Sequence, residues 1–334
     1  MDQNFEIKFG VIGTGFIVNR ILEAVKEHPC IKINAIYSRT FEKAAEFSEK
    51  HAIPYIFTSL EEMASSPLID AVYIASPNFL HASQSILFME HGKHVLCEKP
   101  FASNASEVKL MIAVSKKYNV TLMEAMKSTL TPNFRLVMQH LKEIGKIRRY
   151  FACYCQYSSR YDKFKEGIIL NAFKPELSNG AVMDIGIYTI YPMVVLWGKP
   201  LKISATGLKL STGVDGQGSV NFEYKDMTAT VIYSKIADSS LPSEIQGEDG
   251  TITLDRIDCI NKVELVNRKT DKDIISNPIA RNEYYYELKE FIELIATGKR
   301  ESTINGHENS LLTIEIIDEI RKQLNVIYPA DIKY

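Results

Sequence analysis

Short apolar runs alternate with longer stretches of helical spacing over the first 125 or so residues. Residues 8–13 (Lys-Phe-Gly-Val-Ile-Gly) read as a buried strand. Ile17, Ile21, Ala24 and Val25 then recur at the spacing of one helix face, predicting a helix over 17–28. The alternation continues with strands at 33–37, 55–57, 71–75, 95–97 and 121–124. Helices are expected at 41–50, after the turn Ser76-Pro77-Asn78 through His91, and from a cap at Ser103 to Tyr118. Strands alternating with helices imply βαβ units, a parallel sheet and right-handed crossovers.

Beyond Glu124 the pattern changes. A helix at 132–143 precedes an aromatic-rich strand at 149–157, and apolar positions over 181–197 keep helical spacing. Strand-like runs follow at 202–209, 219–224, 228–234, 243–247 and 251–254, with Tyr224-Lys225-Asp226-Met227 and Glu248-Asp249-Gly250 as hairpin turns. Amphipathic helices are expected at 283–297 and 308–324. The expected fold is α/β: residues 1–124 as a doubly wound parallel sheet of Rossmann type, and residues 125–334 as an α+β domain with a mostly antiparallel sheet.

A length of 334 residues suits two domains of roughly 150 each. With 46% hydrophobic and 24% charged residues the chain can bury ordinary cores. A formal charge of −2 argues against nucleic acid or a membrane surface as partner. No run of eighteen apolar residues is present, and the opening Met1-Asp2-Gln3-Asn4-Phe5 lacks the charged and apolar regions of a secretion signal. Five dispersed cysteines, of which Cys153 and Cys155 are one residue apart, fit neither a CxxC pair nor a zinc knuckle, and read as thiols in a reducing cytoplasm. His94, Cys97, Glu98 and Asp184 form no metal set evident from spacing, so no metal is expected.

Gly13-Thr14-Gly15-Phe16-Ile17-Val18 follows the first strand and opens the first helix, the context in which a glycine turn binds a dinucleotide. Gly13 permits the tight turn, Gly15 lets a pyrophosphate approach the backbone, and the helix start offers N–H donors. The third glycine of the pattern is Val18 here. The second strand ends in Tyr37-Ser38-Arg39-Thr40, without the acid that would bind a ribose 2′-hydroxyl. Arg39 and Ser38 instead suit a 2′-phosphate, so NADP is expected over NAD, with NAD still possible; otherwise Arg39 stacks on adenine and sets no preference.

The stretch His94-Val95-Leu96-Cys97-Glu98-Lys99-Pro100 ends a strand at the edge where open α/β sheets bind ligands. Lys99 is there either a proton-handling amine or one half of a strand-end salt bridge. His81 is placed either at the cofactor cleft or as a capping histidine. Asp184 and Tyr188 lie four apart on an otherwise apolar helix and therefore share a face.

Gly13-Thr14-Gly15, Ser76-Pro77-Asn78 with His81, Cys97-Glu98-Lys99-Pro100, Glu124-Ala125-Met126 and the 180–186 stretch Gly-Ala-Val-Met-Asp-Ile-Gly together resemble the Gfo/Idh/MocA oxidoreductase family over nearly the whole chain. The resemblance implies a C-terminal domain with a large open sheet that binds substrate and joins subunits, giving a homodimer or homotetramer. It places Ser76, Asn78 and Glu98 on the nicotinamide side and makes Lys99 and Asp184 catalytic. The family's later histidine is Tyr188 here, which is similar to the branch of glucose-fructose oxidoreductase and dimeric dihydrodiol dehydrogenase, commonly NADP-linked. The expected activity is hydride transfer between nicotinamide and a carbinol carbon of a sugar, polyol or trans-diol. Tyr188 is the expected acid/base, tuned by Lys99, with the reverse assignment open. Asp184 would orient a substrate hydroxyl or Lys99. The rival readings are an NAD-using glycosidase-type relative and a non-catalytic dinucleotide-binding regulator.

Overall fold

The computed structural model describes residues 5–269 and 272–332, so the Met1–Asn4 part of the opening read above lies outside the described residues. Contacts divide the chain into two compact units, Met1–Met126 with Arg281–Ser310 and Lys127–Ala280 with Leu311–Tyr334.

The first unit carries strands β1 (Ile7–Ile12), β2 (Ile31–Tyr37), β3 (Tyr55–Phe57), β4 (Ala71–Ile74), β5 (His94–Glu98) and β6 (Leu122–Ala125). Helices α1 (Phe16–Val25), α2 (Phe41–His51), α3 (Leu60–Ser65), α4 (His81–Glu90) and α5 (Ala105–Tyr118) connect them. The strands form one sheet in the order β3-β2-β1-β4-β5-β6, all parallel. The order reverses direction between β1 and β4, which makes their carboxyl ends the switch point where such folds bind ligands. β4 and β6 are buried at every residue, as expected of parallel strands covered on both faces.

Ser103 does not cap α5. Asn104 does, accepting from the Glu107 N–H at 3.0 Å, while the Glu107 side chain reaches back to the Ser103 N–H at 2.9 Å. The Asn104-to-Glu107 spacing forms a capping box displaced by one residue from the sequence expectation.

The second unit holds β7 (Ile147–Cys155), β8 (Lys202–Lys209), β9 (Asp215–Glu223), β10 (Thr228–Ser234), β11 (Ser243–Gly247), β12 (Gly250–Leu254), β13 (Val263–Asn267) and β14 (Asp273–Ile274). Their order is β14-β13-β12-β11-β7-β10-β9-β8, antiparallel except where β10 runs parallel to β7. β13 and β14 were not expected from the sequence, because neither presents an apolar run long enough to stand out. Helices α6 (Pro132–His140), α7 (Tyr161–Lys165) and α8 (Ile187–Trp197) belong to the same unit. The apolar stretch ending in α8 is long enough to cross a membrane, but most of it is buried within the chain, as a core helix would be. Tyr150 of β7 fastens α8 to the sheet: its hydroxyl donates to the Thr189 carbonyl at 2.9 Å and its ring meets Trp197 edge-on at 5.3 Å.

Two further helices are α9 (Tyr285–Ala296) and α10 (His307–Gln323). Phe291 of α9 packs edge-on against Phe9 of β1 at 5.8 Å, closing the first unit's core.

Candidate active site

In the first unit the site is built at the carboxyl ends of β1, β4 and β5. Gly13 has φ +113°, and a Cβ there would lie 2.7 Å from the Ala75 carbonyl oxygen. The turn after β1 is thus pressed against the end of β4, and only glycine fits. Gly15 differs: a Cβ would meet nothing within 4 Å. The space in front of it lies over the start of α1, where no side chain caps the N–H groups and the first turn has no acid. A pyrophosphate fits that arrangement. Thr14 and Ile17 are half-buried and Phe16 is exposed. Arg39 is exposed at the start of α2 and makes no ion pair among the described residues, and the neighbouring Ser38 N–H donates to the Phe57 carbonyl at 3.3 Å.

Glu98 and Lys99 follow from β5. Glu98 is buried, yet both its oxygens are engaged: the Tyr73 hydroxyl donates to Oε1 at 2.5 Å and the Lys99 backbone N–H donates to Oε2 at 3.2 Å. Lys99 is half-buried, and its bond to Pro100 is cis. His81 is buried, its Nδ1 2.8 Å from the Pro100 carbonyl and its Nε2 2.9 Å from the Ser76 carbonyl. The ring thus bridges the two loops, donating its one N–H to one carbonyl with the other nitrogen against the second, and burial outweighs the carbonyls in drawing the imidazole pKa down. It braces the strand ends by joining the Ser76 and Pro100 loops. The Ser76 hydroxyl donates to Gln84 Oε1 at 2.7 Å, and Asn78 opens a single 3-10 turn ahead of α4. Glu124, at the end of β6, is fully buried, and burial pushes its pKa up to about 8.

In the second unit, Asp184 does not sit on regular α-helix. Val182–Gly186 forms a π turn, and α8 begins after it. The Asp215 carboxylate caps that turn, accepting from the Val182 N–H at 2.7 Å. Gly180, at φ +154°, lies so close to Asp215 that a Cβ would collide with its Oδ1. Tyr188 is buried one turn beyond Asp184; the Tyr154 ring meets it edge-on at 5.7 Å, and the buried Lys127 Nζ lies 5.9 Å from its ring centre. Pro192 removes the N–H that would have bonded the Tyr188 carbonyl. A π turn and a proline thus flank the tyrosine, a local irregularity often found at functional sites.

Asp184 forms an ion pair with Lys235, a residue outside the sequence expectation. Lys235 follows β10 directly, as Lys99 follows β5, so the same strand-end logic could have found it. The Tyr157 hydroxyl donates to the exposed Asp162 carboxylate at 2.7 Å. Among the described residues no group of three or more His, Cys, Asp and Glu side chains is placed to hold a metal.

The family model described as oxidoreductase family, NAD-binding Rossmann fold, matches residues 7–126, and the GFO/IDH/MocA C-terminal domain model matches residues 138–253. The chain is 51% identical over 325 residues to an NADP(+) scyllo-inositol 2-dehydrogenase of Bacillus subtilis, covering 97% of this chain and 99% of that one. It is 31% identical over 341 residues to a trans-1,2-dihydrobenzene-1,2-diol dehydrogenase of Danio rerio, covering 97% and 99%. In three dimensions it superposes with a TM-score of 0.84 on a 3-ketoreductase of Actinomadura kijaniata solved with NADP and TDP-benzene, at 23% identity over 95% of this chain and 98% of that one, a likeness of fold. The chain belongs to the Gfo/Idh/MocA oxidoreductase family.

Proposed function

We propose that this chain is an NADP-dependent oxidoreductase that moves a hydride between nicotinamide and a carbinol carbon of a cyclic polyol or trans-diol. The observation that carries the reading is the strand-end Glu98-Lys99 pair, Glu98 gripped at both oxygens, beside a glycine turn with room for a pyrophosphate. The relatives named for scyllo-inositol and for trans-dihydrobenzenediol support the substrate class, since both names denote six-membered rings with adjacent trans hydroxyls. The first unit, which takes in residues 281–310 as well as the N-terminal stretch, would hold the dinucleotide, and the second unit the substrate.

NADP, when bound, supplies the hydride chemistry. The chain's own residues do the rest. The backbone at Gly13–Gly15 and the start of α1 hold the pyrophosphate, and Ser38 and Arg39 hold the 2′-phosphate. Ser76, Asn78 and Glu98 line the nicotinamide side. Tyr188 takes the hydroxyl proton in oxidation and returns it in reduction, and the Lys99 ammonium tunes it. A phenol ordinarily titrates near 10, so proton transfer at neutral pH needs that tuning. Asp184 orients a substrate hydroxyl.

A second copy of the chain packing on the open face of the eight-stranded sheet would give a dimer or tetramer; sedimentation of the purified protein reads this. The free cysteines agree with a reducing cytoplasm. The functional test is NADPH absorbance on mixing the protein with NADP and a panel of scyllo-inositol, trans-1,2-cyclohexanediol and aldoses. Turnover of the cyclic diols is expected; tight NADP binding without turnover of any compound would favour the regulator reading.

A further inference from the structure

Lys235 is anchored on both sides. Its N–H donates to the Gly216 carbonyl at 2.9 Å, and its own carbonyl accepts from the Ser158 N–H at 2.9 Å. Its side chain is only 5% exposed. An ammonium so buried needs partners. It has the Asp184 carboxylate in front and the Phe173 ring, whose centre is 5.6 Å from Nζ. The fully buried Asp215 attracts it as well; burial raises the pKa of that acid to about 6, and backbone N–H groups, Val182 first, and then Lys235 pull it back. Asp184 itself keeps 36% of its side chain exposed. One end of the pair is thus locked in the unit's interior, and the other is presented at its surface beside Tyr188.

A buried pair of this kind adds little net stability over an apolar substitute of the same shape, so stability alone is a weak reason for its being there. Fixing the direction and the charge of a partly exposed carboxylate is a stronger one. A rigid anion is a selective acceptor for a hydroxyl, because a ligand lacking that hydroxyl leaves the charge poorly solvated.

We infer that Lys235 is a positioning residue that holds Asp184 anionic and aimed, so that Asp184 accepts a hydrogen bond from the hydroxyl next to the reacting carbinol and the site selects vicinal diols over single alcohols. This rests on the reading of the chain as a polyol oxidoreductase. It assigns the choice of substrate to Lys235 acting through Asp184 and leaves the proton transfer to Tyr188 and Lys99.

The test uses the full-length protein with NADP and two probes, trans-1,2-cyclohexanediol and cyclohexanol. Lys235→Met should raise KM for the diol about 10- to 100-fold, the range of a lost charge-assisted hydrogen bond, while the slow rate with cyclohexanol and the affinity for NADP stay unchanged. Lys235→Arg should restore most of the diol preference. Adding Lys235→Met to Asp184→Asn should cost almost nothing more, because both act through one hydrogen bond. Equal losses on both alcohols, or additive effects of the two substitutions, would overturn the inference. Should Lys235→Met not fold, Lys235→Gln, which removes the charge but keeps a polar group, carries the same comparison. Diol affinity measured calorimetrically on the NADP complex separates the two readings. A diol that binds without turnover, and binds about 10-fold more weakly to Lys235→Met, keeps the inference and ends the dehydrogenase reading. A diol that the unaltered protein does not bind ends both.

Discussion

Tyr73 on β4 donates its hydroxyl hydrogen to Glu98 on β5 across 2.5 Å of buried sheet. The two strands are parallel neighbours, with Tyr73 beside Leu96 in register, so the phenol reaches two residues along to the carboxylate. Burial first, and the Glu98 charge second, push the Tyr73 pKa well above its ordinary value, which keeps the phenol a donor. Tyr73→Phe deletes one oxygen and no ring packing. It should cost about 1 to 3 kcal/mol of stability, the range for stranding a buried acceptor. If Glu98 needs that anchor to meet the cofactor, the NADP affinity falls in the same variant. Chemical denaturation and cofactor titration check the two effects separately.

Arg39 stands exposed where the acid of an NAD-binding site would be. Arg39→Ala should weaken NADP by about 10- to 100-fold, as expected for a lost charge-assisted contact, with little effect on NAD. Parallel KM measurements with both cofactors decide it: an equal effect on both would mean Arg39 only stacks on adenine.

Gly13→Ala should be among the most damaging small substitutions in the first unit. The residue would be forced to φ +113°, with its Cβ 2.7 Å from a backbone oxygen that cannot move freely. Strain of about 1 to 3 kcal/mol is expected, together with loss of NADP binding. Gly15→Ala is the control: it meets open space, so stability should hold while pyrophosphate binding suffers.

A buried carboxyl and a half-buried imidazole set opposite limits on stability. Glu124 ordinarily titrates near 4.5, and in the folded chain burial raises it to about 8. The folded state therefore holds that proton more tightly; its contribution is whole below pH 4.5 and is lost as pH rises through 8. His94 ordinarily titrates near 6.5, and burial lowers it to about 4, with its Nδ1 accepting from the Thr121 N–H at 2.9 Å. Its contribution is whole above pH 6.5 and is lost as pH falls through 4. Each shift corresponds to a few kcal/mol, ~3 to 5 at 1.4 kcal/mol per pH unit. Glu124→Gln should flatten the alkaline side of the stability profile and leave the acid side alone, as measured by denaturation midpoints from pH 4 to 9.

The sequence made the first unit legible because its chemistry is local. Gly13, Arg39 and Lys99 each sit at a strand end, and the period of apolar residues marks those ends. Lys235 also follows a strand, but its partner Asp184 lies 51 positions earlier, and only tertiary structure joins them. Tyr73 read as one more apolar strand residue, although a buried phenol needs an acceptor and in that sense announced a partner. The π turn over Val182–Gly186 leaves no trace in the spacing of apolar positions, since it depends on which carbonyls the backbone N–H groups choose. Asn104 rather than Ser103 caps α5 because either residue can cap and Glu107 decides between them.

The central claim is that Tyr188 and Lys99 carry proton transfer in an NADP-dependent oxidation of a cyclic diol. The direct measurement is NADPH formation from scyllo-inositol by the unaltered protein, Tyr188→Phe and Lys99→Met, with NADP affinity determined for each. Both variants should lose at least about 100-fold in kcat, the low end for removing an acid/base group, with NADP affinity nearly unchanged. Near-normal turnover in both variants would contradict the account.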